Sequence, residues 1–201
     1  MGESIPRTHQ TLSDILRVRF KNVLDPIGQF LNKLGIAPNT LTLAGLVGNF
    51  VGALFLAQGK FIPGGVILFL MGPLDALDGT MARLRGEPSA FGAFVDSVTD
   101  RYSEVFIYAG LIYFYLTLEN SLMVLMAFAA LGGSFLVSYA RARAQSLGYE
   151  AKQGILTRME RFAILVAGLL FGFPEVAISL IALLANITAL QRILIVRRQA
   201  R

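Results

Sequence analysis

The sequence contains no cysteine and a single histidine. The absence of cysteine excludes disulfide bonds, zinc–thiolate sites and thiol nucleophiles. Because the single histidine, His9, lies in a polar N-terminal stretch, a histidine-rich metal site is excluded and a histidine-based catalytic triad is not expected. Any chemistry that this chain performs must therefore use carboxylates, hydroxyl groups and cationic side chains.

Charged residues are also scarce, at 15% of the 201 residues, whereas hydrophobic residues make up 55%. A soluble globular protein carries about a quarter charged residues, and the mean hydropathy of this chain is +0.62. The composition therefore indicates a protein that lies largely within a lipid bilayer. The net charge of +5 could suggest nucleic-acid binding, but the basic residues follow a membrane-topology pattern, and we expect no nucleic-acid partner.

Six apolar stretches are long enough to cross a bilayer, which takes about 20 residues for each helix. They lie at roughly residues 39–58, 61–83, 91–117, 121–143, 157–174 and 175–196. The sequence thus predicts an all-α membrane protein, with six transmembrane helices forming a catalytic domain at residues 39–201.

Residues 10–34 precede the first stretch and carry apolar residues at helical spacing, with basic residues between them. This pattern is typical of an amphipathic helix that lies in the membrane interface. We expect it to form a juxtamembrane segment, residues 1–38, on the cytoplasmic side, with a kink or a break at Pro26. An ordinary solvated helix is the alternative.

The positions of the basic residues predict the orientation in the membrane. All but one of the 18 lysines and arginines lie in the N-terminal segment, around the connections after the second and fourth spans, or at the C-terminal end; the exception is Lys60. Basic residues are enriched on the cytoplasmic side of membrane proteins. We therefore expect a multi-pass protein of the cell membrane, with both termini on the cytoplasmic side.

Four of the six aspartates lie at the ends of two consecutive spans, where charged groups are costly and usually functional. Asp75 and Asp78 are three residues apart on the second span, and Asp96 and Asp100 are four apart on the third. We expect these helices to be antiparallel neighbours, so that the four carboxylates converge. Because carboxylates repel strongly near lipid, one or two divalent cations are expected between them. All-oxygen ligation favours magnesium or manganese over zinc.

Small residues leave space beside this predicted metal site. Gly79 and Gly92 each lie within about one turn of an aspartate, so a phosphate group could approach the backbone closely. Two other interpretations are open. The carboxylates could form structural ion pairs with Arg83 and Arg101, or they could bind cations in a transporter or channel.

The order of these residues resembles the signature of the CDP-alcohol phosphotransferase family. Eight positions agree with it, at the same spacing, within a run of 26 residues: Asp75, Asp78, Gly79, Ala82, Arg83, Gly92, Asp96 and Asp100. The resemblance implies a six-span enzyme, usually a homodimer. Such an enzyme transfers a phosphatidyl-type group from a CDP-linked lipid to an alcohol and releases CMP.

The same resemblance implies roles for individual residues. Asp75, Asp78 and Asp96 would be metal ligands, and Asp100 would be the general base and contact a second metal ion. The two ions, Mg²⁺ or Mn²⁺, would neutralise the diphosphate. The residues implied to bind the cytidine and diphosphate of the CDP-lipid are Gly79, Ala82, Arg83 and Gly92.

The connection between the fourth and fifth spans holds a cluster of basic residues suited to binding phosphate, because a guanidinium group can donate two parallel hydrogen bonds to it. The cluster consists of Arg141, Arg143, Lys152, Arg158 and Arg161. The alternative is that these are ordinary basic residues of a cytoplasmic connection. The runs Ser-Tyr-Ala-Arg-Ala-Arg-Ala at 138–144 and Glu-Arg at 160–161 are similar to the inositol-phosphate branch of the family. That branch makes phosphatidylinositol phosphate or archaetidylinositol phosphate. The arginines implied to bind the phosphate of the acceptor are Arg141, Arg143, Arg161 and Arg192.

We therefore expect L-myo-inositol 1-phosphate as the acceptor. Glycerol 3-phosphate, which would use the same arginines, is the main alternative. An acceptor without phosphate would leave the arginine cluster without a function. The donor is either CDP-diacylglycerol or CDP-archaeol, because the groove for the lipid tails is apolar in both cases.

Overall fold

A computed structural model gives the fold and describes residues 12–86 and 89–201, with side chains from residue 21 onward. The predictions made for residues 1–11, which include His9, lie outside these ranges. So does the Glu87–Pro88 part of the connection between the second and third predicted spans.

Every regular element in the described ranges is a helix. There are seven of them: α1 (Leu12–Lys33), α2 (Pro38–Ala57), α3 (Phe61–Leu84), α4 (Ala90–Thr117), α5 (Ser121–Ser146), α6 (Arg158–Leu170) and α7 (Pro174–Gln199). The last six coincide with the six predicted apolar stretches to within a few residues, and α1 coincides with the predicted N-terminal helix. Contrary to the expected break, α1 continues through Pro26.

Four of these helices, α2, α3, α5 and α7, are long and apolar enough to cross a membrane. α4 is 28 residues long, but its first 15 residues include the charged residues Asp96, Asp100, Arg101 and Glu104. α6 has only 13 residues, a length of about 20 Å, whereas the hydrocarbon core is about 30 Å thick. The chain is thus all-helical in its described ranges, with four apolar helices that are typical of an integral membrane protein.

The packing of α2 determines how α3 and α4 are arranged. α2 packs along both of these helices, whereas α3 and α4 hardly touch each other in the described ranges. A Cβ atom at Gly110 of α4 would lie 2.4 Å from the carbonyl oxygen of Ala53 in α2, so this close approach requires glycine. The prediction that α3 and α4 are direct neighbours is therefore wrong, because α2 packs against both and a cleft lies between them.

The second half of the bundle supports this cleft from the other side. α5 packs along α7, while contacts of α4 with α5 and of α3 with α6 join the two halves. The main hydrophobic core lies between these helices and includes the fully buried side chains of Leu111, Leu169, Ile178 and Ile181. Because lipid tails are as apolar as these side chains, the core is stabilised by close van der Waals packing between the helices, which fixes the positions of their polar ends.

α1 is fixed to the end of α3. Arg85 donates hydrogen bonds of 2.6 Å to Asn32 Oδ1 and 2.6 Å to the Ile36 carbonyl oxygen, and Asn32 Nδ2 donates to the Met81 carbonyl oxygen at 3.2 Å. The opposite side of α1 exposes apolar side chains at positions 23, 27, 30 and 34. This helix is therefore attached to the element that carries Asp75 and Asp78.

Candidate active site

The two pairs of aspartates lie on the ends of α3 and α4 that are joined by the same short connection. Asp75 and Asp78 are in about the last three turns of α3, and Asp96 and Asp100 are in about the first three turns of α4. Asp78 and Asp100 are buried, with 6% and 7% of their surface exposed. Because a buried carboxylate is costly without compensating partners, the groups around these side chains indicate what the site accommodates.

α2 forms the third wall of the cleft. Thr42 of α2 donates a hydrogen bond from its Oγ1 to Asp78 Oδ2 at 2.6 Å. One turn further along, a Cβ atom at Gly45 would lie 3.5 Å from Asp75 Oδ1. A hydroxyl group and a small residue on the same face of α2 therefore orient one carboxylate and leave space for the other.

Arg158, the first residue of α6, bridges the aspartates of the two helices. Its Nη2 lies 3.0 Å from Asp75 Oδ2 and also contacts Asp100 Oδ1. The other oxygen of Asp100 lies 3.5 Å from Arg101 Nη1. Asp96 is close enough to Asp75, Arg158 and Arg101 for their charges to act on it. Arg158 thus supplies the positive charge between Asp75 and Asp100, and Asp96 lies in the same electrostatic environment.

The chemistry of the donors fits a hard divalent cation, because all four are carboxylates. Among the described side chains, no three acidic or histidine residues are gathered closely enough to hold one metal ion. In this arrangement the guanidinium of Arg158 stands between Asp75 and Asp100 in place of such a cation. The four motif aspartates are the residues that could hold a metal ion. The ion would have to replace Arg158 between Asp75 and Asp100.

The hydrogen bond from Thr42 to Asp78 leads to a testable expectation. Valine at position 42 keeps the shape of threonine and removes the hydroxyl donor, so Asp78 would lose the group that orients it. We expect Thr42→Val to weaken Mn²⁺ binding about tenfold, as measured by the electron paramagnetic resonance of free Mn²⁺. In the control Thr117→Val, at the far end of α4, Mn²⁺ affinity should not change; equal affinities in both variants would contradict the orienting role.

The other residues of the signature lie at the same end of the bundle. Arg83 is exposed and donates from Nη2 to Thr80 Oγ1 at 2.9 Å. The backbone amide of Gly92 donates a hydrogen bond to Ser89 Oγ at 2.9 Å. Ser89 thereby caps the N-terminus of α4. Gly79 and Ala82 are half-buried one turn from the aspartates. The four residues predicted to bind the diphosphate thus lie on the same helix ends as the carboxylates, but they are not among the residues that line the cleft.

A second cavity of about 330 Å³ opens beside the carboxylates. Ser97, Asp100 and Arg101 of α4 form one side of it, and the remaining wall carries a cluster of arginines, Arg141, Arg158, Arg161 and Arg192. We call this space the cationic cavity. Its volume falls within the range of small-molecule sites. Three of the four predicted acceptor arginines line it; Arg143 does not, and its guanidinium bonds instead to Ser146 Oγ at 3.4 Å.

Two arginines of the cationic cavity are tied to the protein itself. Arg161 is 3% exposed, and its Nη2 lies 2.9 Å from Glu104 Oε1. Arg192, also 3% exposed, donates hydrogen bonds to three backbone carbonyl groups, those of Val137, Lys152 and Gln153. By contrast, Arg141 is exposed. The cavity therefore combines two buried arginines that are held in place with one that reaches it from solvent.

Two residues of this site, Thr42 and Glu104, had not been assigned to it from the sequence. Arg158 had been grouped with the arginines suited to binding phosphate, and not with the aspartates. A pattern on α2 could have indicated Thr42, because polar or small residues recur at helical spacing in an otherwise apolar helix, namely Thr42, Gly45, Asn49 and Gly52. Arg158 had no comparable signal. It belongs to a cluster of basic residues that also fits an ordinary cytoplasmic connection.

Comparison with known proteins agrees with this geometry. The family model of CDP-alcohol phosphatidyltransferases matches residues 35–194. The chain is 34% identical to the archaetidylinositol phosphate synthase of Methanothermobacter thermautotrophicus, over 96% of this chain and 97% of the relative.

Two crystal structures of the phosphatidylinositol phosphate synthase of Mycobacterium tuberculosis have a similar fold at 29% identity. The structure with bound CDP-DAG has a TM-score of 0.82 and covers 87% of this chain and 94% of its own. The structure with manganese and citrate has a TM-score of 0.81 and covers 87% and 88%. The signature, the cleft of carboxylates and these matches lead to one conclusion: the chain belongs to the CDP-alcohol phosphatidyltransferase family.

Proposed function

We propose that this protein is a metal-dependent enzyme of phospholipid synthesis that transfers a phosphatidyl-type group from a CDP-lipid to L-myo-inositol 1-phosphate. The observation that carries this proposal is the position of Asp100, which lines both the cleft of carboxylates and the cationic cavity. A donor diphosphate beside the aspartates and an acceptor phosphate beside the arginines would therefore meet at this residue. The names of the relatives support the inositol-phosphate acceptor.

The four aspartates would hold the divalent cations. We propose that two ions bind, either Mg²⁺ or Mn²⁺. When bound, such ions neutralise the diphosphate and stabilise the charge that develops at the reacting phosphoryl group. Thr42 keeps Asp78 oriented through its 2.6 Å hydrogen bond. Gly79, Ala82, Arg83 and Gly92 are the residues that we propose to bind the cytidine and diphosphate, at the helix ends that carry the aspartates.

The reaction forms one bond and breaks one bond at the same phosphorus atom. An oxygen of the acceptor alcohol attacks the phosphorus that carries the lipid, the bond from this phosphorus to the CMP oxygen breaks, and CMP leaves. The proton of the alcohol goes to Asp100, because an alcohol is a poor nucleophile until a nearby base removes its proton. Asp100 is suited to this role since its carboxylate borders both substrate spaces.

We propose that the cationic cavity binds the phosphate of the acceptor through Arg141, supported by Arg161 and Arg192. Arg141 lines the cavity and is exposed, so its guanidinium is free to approach a ligand from solvent. The sequence assigned Arg143 to the same role, although this side chain lies outside the cavity lining.

Paired substitutions distinguish these two arginines. We expect Arg141→Ala to raise the KM for inositol 1-phosphate about tenfold with little change in kcat, the effect of losing a charge-assisted hydrogen bond in binding. Arg143→Ala should change this KM less than threefold. Steady-state kinetics in detergent measures both values, and an equal rise in the two variants would show that Arg143 also contacts the acceptor.

For the membrane arrangement we propose six spans with both termini on the cytoplasmic side, with α4 and α6 as spans in addition to the four apolar helices. In this arrangement α1 lies in the interface, where its exposed apolar row at positions 23, 27, 30 and 34 contacts lipid. The CDP-lipid then reaches the cleft from the cytoplasmic leaflet. A homodimer is the assembly that the family resemblance suggests.

An assay with parallel substrates tests the proposed function. Purified protein in detergent with Mg²⁺ or Mn²⁺ is given CDP-diacylglycerol or CDP-archaeol, and either labelled inositol 1-phosphate or labelled glycerol 3-phosphate. We expect a lipid-linked inositol phosphate and stoichiometric CMP, with no product after addition of a chelator. Product from glycerol 3-phosphate alone would overturn the acceptor assignment, and product from neither acceptor would overturn the proposed transfer to a phosphorylated alcohol.

A further inference from the structure

Arg158 occupies the boundary between the two parts of the site. Its Nη2 bonds to Asp75 and Asp100 on one side, and its side chain also lines the cationic cavity on the other. The start of α6 is fixed, because the carboxylate of Glu160 accepts a hydrogen bond from the backbone amide of Thr157. Only the side chain of Arg158 therefore needs to move for its guanidinium to change partners.

Arg158 and a metal ion would compete for the same carboxylates. Asp75 Oδ2 accepts a hydrogen bond from this guanidinium and Asp100 Oδ1 forms a salt bridge with it, so both oxygens already have a positively charged partner. A divalent cation between these oxygens would also repel the positive charge of Arg158 at short range, an effect that is strong in a site of low dielectric. Binding of metal and the contact of Arg158 with the aspartates therefore oppose each other.

We propose that Arg158 is an internal counter-cation that metal binding displaces into the cationic cavity, so that the metal raises the affinity of the protein for the acceptor phosphate. Without metal, Arg158 neutralises the aspartates and its guanidinium is engaged. With metal, this guanidinium has lost both carboxylate partners and adds a positive charge beside Arg141. The inference rests on the proposed function, and Arg158 acts in it as a positioning residue.

Because binding free energies are linked, the coupling must be reciprocal. If Mn²⁺ strengthens the binding of inositol 1-phosphate by some factor, inositol 1-phosphate must strengthen the binding of Mn²⁺ by the same factor. Direct attraction between the metal and the phosphate also produces such a factor. The contribution of Arg158 to this factor is therefore the amount by which the factor decreases when the side chain is replaced.

The test measures binding rather than turnover. Mn²⁺ affinity is determined by electron paramagnetic resonance, and inositol 1-phosphate affinity by equilibrium dialysis with and without Mn²⁺, on the full chain in detergent. In Arg158→Gln we expect Mn²⁺ to bind about tenfold more tightly than in the wild type, because a competing cation is gone. The enhancement of inositol 1-phosphate binding by Mn²⁺ should fall at least threefold.

Arg101→Gln is the matched control, since it removes the same charge from the other oxygen of Asp100, at the longer distance of 3.5 Å. Here Mn²⁺ affinity should rise less than threefold, because a contact at 3.5 Å to one carboxylate is weaker than the two contacts of Arg158. Arg158→Lys keeps the charge but cannot present a planar guanidinium to two carboxylates, and its Mn²⁺ affinity should lie between those of the wild type and Arg158→Gln. This variant provides the measurement if Arg158→Gln does not fold.

Each result has a distinct meaning. Mn²⁺ affinity that is unchanged or weaker in Arg158→Gln, or as high in Arg158→Lys as in Arg158→Gln, overturns the role of Arg158 as counter-cation. A Mn²⁺ enhancement of inositol 1-phosphate binding that persists in full without Arg158 overturns the coupling. If the wild-type protein binds no Mn²⁺, the metal site of the proposed function is contradicted. The role of Arg158 as counter-cation is then contradicted as well.

Discussion

Asp100→Asn is expected to lower kcat by about 10²–10⁴-fold, the usual contribution of a general base, while binding of the CDP-lipid stays measurable. The amide of asparagine is nearly isosteric with the carboxylate but cannot take the proton of the attacking alcohol. Asp100 is buried and borders both the cleft and the cationic cavity, so another base would have to reach the same position. Single-turnover release of CMP measures the chemical step, and equilibrium dialysis with a CDP-lipid measures binding.

Loss of metal affinity would also lower the rate in this variant, so the assay is repeated at increasing Mn²⁺ until the rate no longer changes. Asp25→Asn on α1 is the control, because it makes the same chemical change outside the site and should keep wild-type activity. A kcat for Asp100→Asn within threefold of the wild type at saturating Mn²⁺ would remove Asp100 from the role of base.

Glu104→Ala is expected to destabilise the protein by about 3–5 kcal/mol, the cost of leaving a buried charge without its partner. The partner is Arg161, whose side chain is 3% exposed and lies 2.9 Å from Glu104 Oε1. Without the carboxylate, this guanidinium would remain between α4 and α6 with its charge uncompensated. Thermal unfolding of the protein in detergent, followed by size-exclusion chromatography of heated samples, gives the change in Tm.

A double substitution separates the unpaired charge from the loss of packing. Glu104→Leu combined with Arg161→Leu removes both charges and fills the space with apolar side chains, so its Tm should lie above that of Glu104→Ala. The exposed Glu150 provides a control, since alanine there should change stability by less than about 0.5 kcal/mol. If Glu104→Ala and Glu150→Ala had the same Tm, the ion pair would not hold α4 and α6 together.

The sequence was sufficient to place the helices, because hydrophobic length and the positions of glycine and proline are local signals. α2 begins with Pro38, and Gly59 and Gly172, both with positive φ, end the segments before Phe61 and Pro174. The spacing of the motif aspartates also indicated which faces of α3 and α4 belong to one site. These features depend on neighbours within a few turns of the same helix.

The contacts between helices could not be obtained in this way. A short connection suggested that α3 and α4 pack together, yet Gly110 allows α2 to approach α4 so closely that α2 packs against both. Arg158 lies 83 positions after Asp75 in the sequence, and nothing in its local pattern distinguishes it from a basic residue of a cytoplasmic connection. Its role depends on where α6 begins relative to α3.

The three backbone hydrogen bonds of Arg192 have a consequence for what the cationic cavity can accept. This guanidinium joins α7 to the Val137 carbonyl of α5 and to the carbonyl groups of Lys152 and Gln153 in the following connection. One wall of the cavity therefore consists of three segments that these hydrogen bonds hold together. Widening this wall for a bulkier molecule would break several hydrogen bonds at once, so we expect size, and not only charge, to limit which acceptor the cavity admits.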